Sequence, residues 1–424
     1  MKNTNGTVFL ASVCAALLVT NGRGADDWPQ WRGPNRDASG PGFTAPKSWP
    51  KELTQKWKAD VGEGVATPSL LGDKLYVFSR QEGGEVTRCL DASTGKELWK
   101  DKYDSLGATG PASGFSGPRA TPAVADGKVV TLGIRCVLSC LNATDGKVLW
   151  RKDEIKGWPR FFASSSPLVS DGLCIAQLGG SDNGCVAAYE LANGKEKWKW
   201  TGDTPAYSSP VLMTAGGTKL VIAMTETKIV ALTLADGKLA WETPFAVQGR
   251  GYNAATPIVD GPTLIYTGSG RGVTAVKFEK SGDTFSGKEL WKNADNSVMF
   301  NTPVLKNGFL FGLSAGNDLF CLNAQTGKSA WTAPSSGSNS TSEGGGGRGM
   351  RGGRGGYGSI VDAGSVLLAL TPSAELIAFE PNEKAYKELA RTKVSSTSTY
   401  AYPVVSGNRI FIKDQDSLTL SMVQ

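Results

Sequence analysis

Short apolar and β-branched runs of four to six residues recur along almost the whole chain. Each is closed by a polar turn rich in Gly, Asp or Asn, and the body shows no helical period. Pro68-Ser69-Leu70-Leu71 precedes the turn Gly72-Asp73-Lys74, and Leu75-Tyr76-Val77-Phe78 follows it. After another polar turn a third run ends in Cys89-Leu90, and Thr94-Gly95 leads into Glu97-Leu98-Trp99. The pattern predicts four consecutive strands joined by tight turns, with Gly supplying a positive φ at the last of them.

This four-strand unit repeats. The phrase that closes it, a small residue ten places before a Trp with a Thr/Asp/Asn-Gly-Lys turn between, runs from Cys89 to Trp99, Cys140 to Trp150, Ala188 to Trp198, Ala231 to Trp241 and Cys321 to Trp331. A sixth copy, from Ala275 to Trp291, carries an insertion but keeps Gly287-Lys288-Glu289-Leu290-Trp291. The six Trp are spaced by 51, 48, 43, 50 and 40 residues, a period that suits the blade of a β-propeller. A second landmark opens the units: Thr67-Pro68, Thr121-Pro122, Ser166-Pro167, Ser209-Pro210, Thr256-Pro257, Thr302-Pro303 and, near the end, Tyr402-Pro403.

Two degenerate units raise the count. One runs from Ser359 to Tyr386, where Tyr is read in place of the Trp, and another begins at Pro403 and stops after three strands. The missing fourth strand is expected at the other end of the chain, in Leu53-Thr54-Gln55-Lys56-Trp57-Lys58. The expected fold is therefore all-β, an eight-bladed propeller of four-stranded blades whose last blade is closed by N- and C-terminal strands together. Trp57, Trp99, Trp150, Trp198, Trp241, Trp291 and Trp331 are expected to pack between neighbouring blades as structural docking residues.

Ahead of the propeller, Lys2, the apolar run Val8 to Val19 and the small residues before Ala25-Asp26-Asp27 read as a secretory signal over 1–24. A lipid anchor at Cys14 is disfavoured by the Val13 before it. The organisation is then a leader (1–24), an N-terminal extension (25–52) and the propeller (53–424), with a Gly/Arg-rich flexible loop over 335–358. The expected destination is outside the cytoplasm, in the periplasm or secreted, as a monomer with no membrane-spanning segment.

Charge adds little. The chain carries +6, but Lys2 and Arg23 fall in the leader, and Glu343 to Gly358 holds three Arg against one Glu. That leaves about +2 on the folded body, which argues against a nucleic-acid surface. Cys89, Cys140 and Cys321 share the small-residue position of the repeat and read as core. Cys174 and Cys185 lie on successive strands of the third blade, so a disulfide between them is a candidate in an oxidising compartment. With no His in the chain, His-based triads, His general acids and His metal ligands are excluded. No phosphate loop and no Cys-x-x-Cys pair occurs, and Asp73, Asp91, Asp126, Asp145 and Asp236 sit in turns. Nothing singles out a catalytic residue.

The Ala/Cys-x-Asp/Asn-x-x-Thr-Gly-Lys-x-x-Trp phrase resembles the tryptophan-docking motif of quinoprotein dehydrogenases and of their non-catalytic relatives, the PQQ-like repeat propellers of the BamB type. Asp27-Trp28-Pro29-Gln30-Trp31-Arg32-Gly33-Pro34-Asn35 is similar to the opening of many exported members. Members that use pyrroloquinoline quinone have adjacent cysteines and a calcium site of Glu, Asn and Asp. This chain has no Cys-Cys pair and no motif that places those ligands, so neither PQQ nor calcium is expected. The resemblance implies a non-catalytic envelope scaffold. A PQQ/calcium-dependent oxidoreductase acting on alcohols or sugars is the main alternative, and a carbohydrate-binding propeller the third.

Propeller geometry places the candidate site. Loops just before each Thr/Ser-Pro gather at one mouth of the central channel. They carry Phe115 and Arg119; Arg160, Phe161 and Phe162; Tyr207; Arg250, Tyr252 and Asn253; Phe300 and Asn301; Tyr357; Tyr400 and Tyr402. The turns between second and third strands add Arg80, Arg135 and Arg271 on the same side. An aromatic, arginine-rich rim suits an envelope protein partner, or a small anionic or carbohydrate ligand. The alternative is that the aromatics only plug the channel.

Overall fold

A computed structural model describes residues 26–247, 251–335 and 357–423. The leader, Arg250 and nearly all of the Gly/Arg-rich stretch lie outside the described residues. The chain folds into eight four-stranded antiparallel sheets. Seven are sequential meanders, blades 1 to 7, over 69–104, 123–152, 168–200, 211–244, 258–293, 304–334 and 359–393. In blade 8 the strand Thr54–Asp60 completes the three strands of 404–422, paired to Ser417–Met422 with Trp57 opposite Leu420. The ends of the chain thus close the ring, as the pattern of strands anticipates.

The repeated phrase has a geometric basis. In blade 1 the small residue faces the Trp across the outer strand pair, Cys89 opposite Trp99, and a bulge follows directly. The same register and bulge recur at Cys140–Trp150, Ala188–Trp198, Ala231–Trp241, Ala275–Trp291 and Cys321–Trp331. All of these indoles but Trp241, and Trp57 of blade 8 with them, reach the outer turn of the next blade. Trp57, Trp99, Trp150, Trp198, Trp291 and Trp331 donate through Nε1 to the carbonyls of Ala92, Ala143, Leu191, Leu234, Ala324 and Asn382, at 2.8–3.2 Å. Each such bond contributes about 1 kcal/mol net. The turn glycine lies against the ring: a Cβ on Gly194 would meet Trp150 Cδ2 at 2.8 Å. The glycine therefore serves two needs, a φ of +73° and room for the previous blade's indole.

Two copies depart from the rule. Trp241 faces the long hairpin of blade 5, where its ring meets Phe278 edge-on at 4.7 Å and Gly287 lies beneath it. In blade 7 the residue opposite Ala378 is Ala390, so the expectation that Tyr386 takes the Trp position is corrected. Tyr386 belongs to a longer turn and packs on Trp331 of blade 6, at 5.8 Å. The reason is topological. Blade 8 is assembled from both chain ends and has no turn between its third and fourth strands, so a Trp in blade 7 would have nothing to dock on.

The Cys174–Cys185 disulfide is also corrected. Cys174 pairs with Tyr189, and Cys185 with Leu178, four residues further along the strand. At about 3.3 Å per residue the two are roughly 13 Å apart, beyond the reach of a disulfide. Both are free, buried thiols, and burial pushes the Cys185 thiol up to about 11.

The N-terminal extension proves to be the hub of the ring. Trp28 pairs with Leu70 of blade 1 and is fully buried, and the Pro29 carbonyl accepts from Val124 of blade 2. Ser39 bridges to Asp362 of blade 7, and Phe43 to Gly407 of blade 8. Between these, Arg36 donates to the carbonyls of Ser166 and Pro167 in blade 3, and Trp31 Nε1 to Thr256 Oγ1 before blade 5. Arg32, 1 % exposed, donates to the carbonyls of Thr302, Pro303 and Asp37 and to the Tyr402 hydroxyl. One segment of about seventeen residues thus contacts the inner strands, or the residues just before them, of seven blades. Burial and the charge of Arg32 pull the Arg36 guanidinium down to about 9.

The Thr/Ser-Pro landmark supplies a second set of links between blades. The Thr121 amide donates to Ser166 Oγ, Ser166 to Ser209, Ser209 to Thr256, and Thr256 to Thr302. Tyr402 N–H to Thr67 Oγ1 carries this pattern across the seam between blades 8 and 1. Among the described residues, no helix is long and apolar enough to cross a membrane.

Candidate functional site at the channel mouth

Above these hydroxyl links the interblade loops bring their aromatic residues together. Phe300 stacks on Tyr357 at 4.3 Å, Tyr357 meets Tyr400 at 5.2 Å, and Tyr400 meets Phe115 at 4.9 Å. On the other side Tyr252 contacts Phe300 at 6.1 Å, Phe161 at 4.7 Å and Tyr207 at 5.9 Å. Seven rings, one from each of seven successive loops, make a half-buried belt. Such edge-to-face and offset pairs add roughly 0.5–1.5 kcal/mol each beyond their burial. All seven rings are only partly buried, which leaves ring faces and edges on the surface.

Arg119 joins the ends of this belt. Its guanidinium donates to the Phe161 and Phe115 carbonyls, and burial pulls it down to about 10 against the influence of Tyr207 and Tyr357. Other arginines of the rim are held by backbone as well. Arg135 donates to the Leu106 and Gly107 carbonyls and lies 4.5 Å over Trp158. Arg271 donates to the Phe245 carbonyl and Asn253 Oδ1, 3.9 Å over the Phe245 ring. These guanidiniums brace loops. Arg160 differs: it is exposed, 5.4 Å over Phe161, and it stands out as a free cation of the described mouth.

Four expected rim residues turn inward. Asn253 Nδ2 donates to the carbonyls of Thr225, Glu226 and Phe245, and Asn301 Nδ2 to that of Leu313. Phe162 is buried and stacked on Trp158 at 5.5 Å. Tyr402 lies deeper, edge-on to Trp31 at 4.9 Å. Loop position alone cannot show which way each of these side chains points, and all four are buried.

Sequence reading also missed a buried carboxylate. Glu85 accepts the Ile134 amide at 2.9 Å and the Tyr103 hydroxyl, and burial raises its pKa despite Arg80 and Arg135 nearby. It ties blade 1 to the turn between the second and third strands of blade 2. Among the described residues, no group of three or more His, Cys, Asp or Glu side chains is close enough together to hold a metal ion.

These features define an eight-bladed propeller of tryptophan-docked, PQQ-like repeats, with a plugged axis and an aromatic mouth. The family model for outer membrane protein assembly factor BamB matches residues 82–333, and the chain belongs to that family. It is 26 % identical over 304 residues to outer membrane protein assembly factor BamB of Yersinia pestis, covering 66 % of this chain and 70 % of that protein. The crystal structure of BamB from Moraxella catarrhalis superposes with a TM-score of 0.61 at 14 % identity, over 88 % of this chain and 98 % of that one. A europium-containing methanol dehydrogenase gives a TM-score of 0.65 at 13 % identity, over 92 % and 89 %. At such identities the two structures speak for the fold alone.

Proposed function

We propose that this protein is a non-catalytic scaffold of the cell envelope that docks a component of outer-membrane protein assembly on its aromatic mouth. Membership of the BamB family supports the process, and the arrangement of the mouth supports the surface. The observation that carries the surface is the contrast among the arginines. Arg119, Arg135 and Arg271 are bound to carbonyls, whereas Arg160 stands exposed beside Phe161, with Tyr207 and Tyr252 behind it. An exposed cation on a rigid aromatic platform is the make-up of a hot spot. Arg160→Ala is expected to weaken binding to the purified assembly machinery at least tenfold, with an unchanged melting temperature. Undiminished binding would refute the surface.

The same reading has the protein working without pyrroloquinoline quinone or calcium. What supports it is that residues 28–43 occupy the axis from one end, while packed aromatic rings crowd the mouth at the other. A planar quinone and its cation would need that space and a set of carboxylates to hold the metal. Cofactor-dependent dye reduction with alcohols or sugars would overturn this part of the proposal.

A further inference from the structure

The aromatic belt has one gap. Seven interblade loops each place a ring at the mouth, but the eighth, residues 61–66 between the clasp strand and blade 1, reads Val61-Gly62-Glu63-Gly64-Val65-Ala66. Its glycines are required by close approach. Gly62 has φ +84° with the Arg80 carbonyl 2.5 Å from where a Cβ would stand, and Gly64 has φ +144° with the Pro118 carbonyl at 2.9 Å. The loop is thereby drawn down beside blade 1, and a groove of about 640 Å³ opens where a ring would otherwise sit.

The lining of this groove is chemically specific. Phe115 and Tyr400, the belt's edge at this point, form one wall. Glu63, Ser116, Ser373 and Gln415 supply polar groups around it, with further serine and glycine residues between them. Ser116 already donates its hydroxyl to Glu63, which fixes the carboxylate at the rim. Glu63 is the one charged residue of the lining, and no Lys or Arg contributes to it. Lys393 and Lys413 donate to the Ser373 and Gln415 carbonyls and Arg80 lies behind Ser116, so an anionic ligand would meet the Glu63 carboxylate with no cation in the lining itself. A wholly apolar ligand would strand the carboxylate, amide and hydroxyls without partners.

A neutral sugar chain satisfies both conditions. Its C–H faces can lie on Tyr400 and Phe115, while its hydroxyls donate to Glu63 and exchange hydrogen bonds with Gln415 and the serines. The size also falls within the range of pockets that hold small organic ligands. We propose that this groove binds a neutral pyranose oligosaccharide, with Tyr400 and Phe115 as platform and Glu63 and Gln415 as hydroxyl readers. The site is separate from Arg160, so the proposal does not rest on docking at the rest of the mouth.

The test is calorimetric titration of the full-length mature protein with two probes, an N-acetylglucosamine tetramer and a neutral hexose tetramer. The first stands for a cell-wall glycan and the second for a surface polysaccharide. Saturable binding of at least one is expected. E63Q and Q415A should each weaken it tenfold or more, while Arg160→Ala leaves it unchanged. Gln415 is an exposed turn residue, so Q415A reports on the groove even if Tyr400→Ala loosens the belt. Failure of both tetramers to saturate, binding indifferent to E63Q and Q415A, or preference for an uncharged extended peptide would overturn the proposal. Each of these outcomes leaves the binding of Arg160→Ala to the assembly machinery as a separate reading.

Discussion

Blade 3 holds a matched pair of glycines that isolates what the docked indole requires. Gly194, in the outer turn, has φ +73° and lies under Trp150, whose Nε1 donates to the Leu191 carbonyl at 3.0 Å. Gly172, in the inner turn, has φ +72°, and nothing stands within 4 Å of where its Cβ would be. Alanine at either position takes on the same left-handed strain, about 1–2 kcal/mol. At Gly194 the new methyl would also stand 2.8 Å from Trp150 Cδ2, inside van der Waals contact. The indole must then slide off its carbonyl or the turn must shift. Overpacking of this kind costs about 1–3 kcal/mol, and the lost hydrogen bond about 1 kcal/mol more. Gly194→Ala should therefore be destabilised by roughly 2–4 kcal/mol beyond Gly172→Ala. Urea unfolding followed by tryptophan fluorescence reads the difference directly, because the perturbed indole is itself a reporter. Equal losses for the two variants would refute the docking account and leave only backbone strain.

Three further outcomes follow from the geometry. Arg32→Met leaves the buried carbonyls of Thr302 and Pro303 without their donor, and should lower stability on the order of 2–4 kcal/mol in the same unfolding assay. A neutral result would mean that the axial segment does not brace the ring. Asp91 accepts hydrogen bonds from Ser93 and Thr94, which hold its carboxyl at about 2. Its folded value lies below the unfolded one near 4, so the unfolded state binds more protons between them. The contribution is present above about pH 4 and lost as pH falls toward 2. Asp91→Asn should flatten the acid limb of stability against pH, and an unchanged limb would contradict the assignment. For the cysteines, alkylation of protein unfolded without reductant should label both Cys174 and Cys185, where a disulfide would protect both.

The repeat made most of the fold legible, because five of the six near-identical phrases report one physical event, an indole docking on the next blade's turn. The same regularity misled at Tyr386. A turn longer than in the other blades moved the register, and only the sheet pairing shows that Ala390 faces Ala378. The axial role of residues 28–43 was hidden because that segment has no repeat partner. Its signal was compositional: two Trp and two Arg within nine residues, together with Gly33-Pro34. Burying such a stretch demands many acceptors, and a ring of inward carbonyls supplies them. At the mouth, loop position could be read from the Thr/Ser-Pro landmark. Whether an Arg braces a loop or faces solvent depends on carbonyls distant in sequence, such as Phe161 for Arg119.

Docking on the aromatic mouth can be read by site-specific photo-crosslinking in living cells. A crosslinker at position 160 samples the mouth, and one at position 193, in the outer turn of blade 3, samples the opposite face. An adduct with a component of outer-membrane protein assembly is expected from position 160 and none from position 193. Adducts from position 193 alone, or no adduct with that machinery from either face, would contradict docking on the mouth.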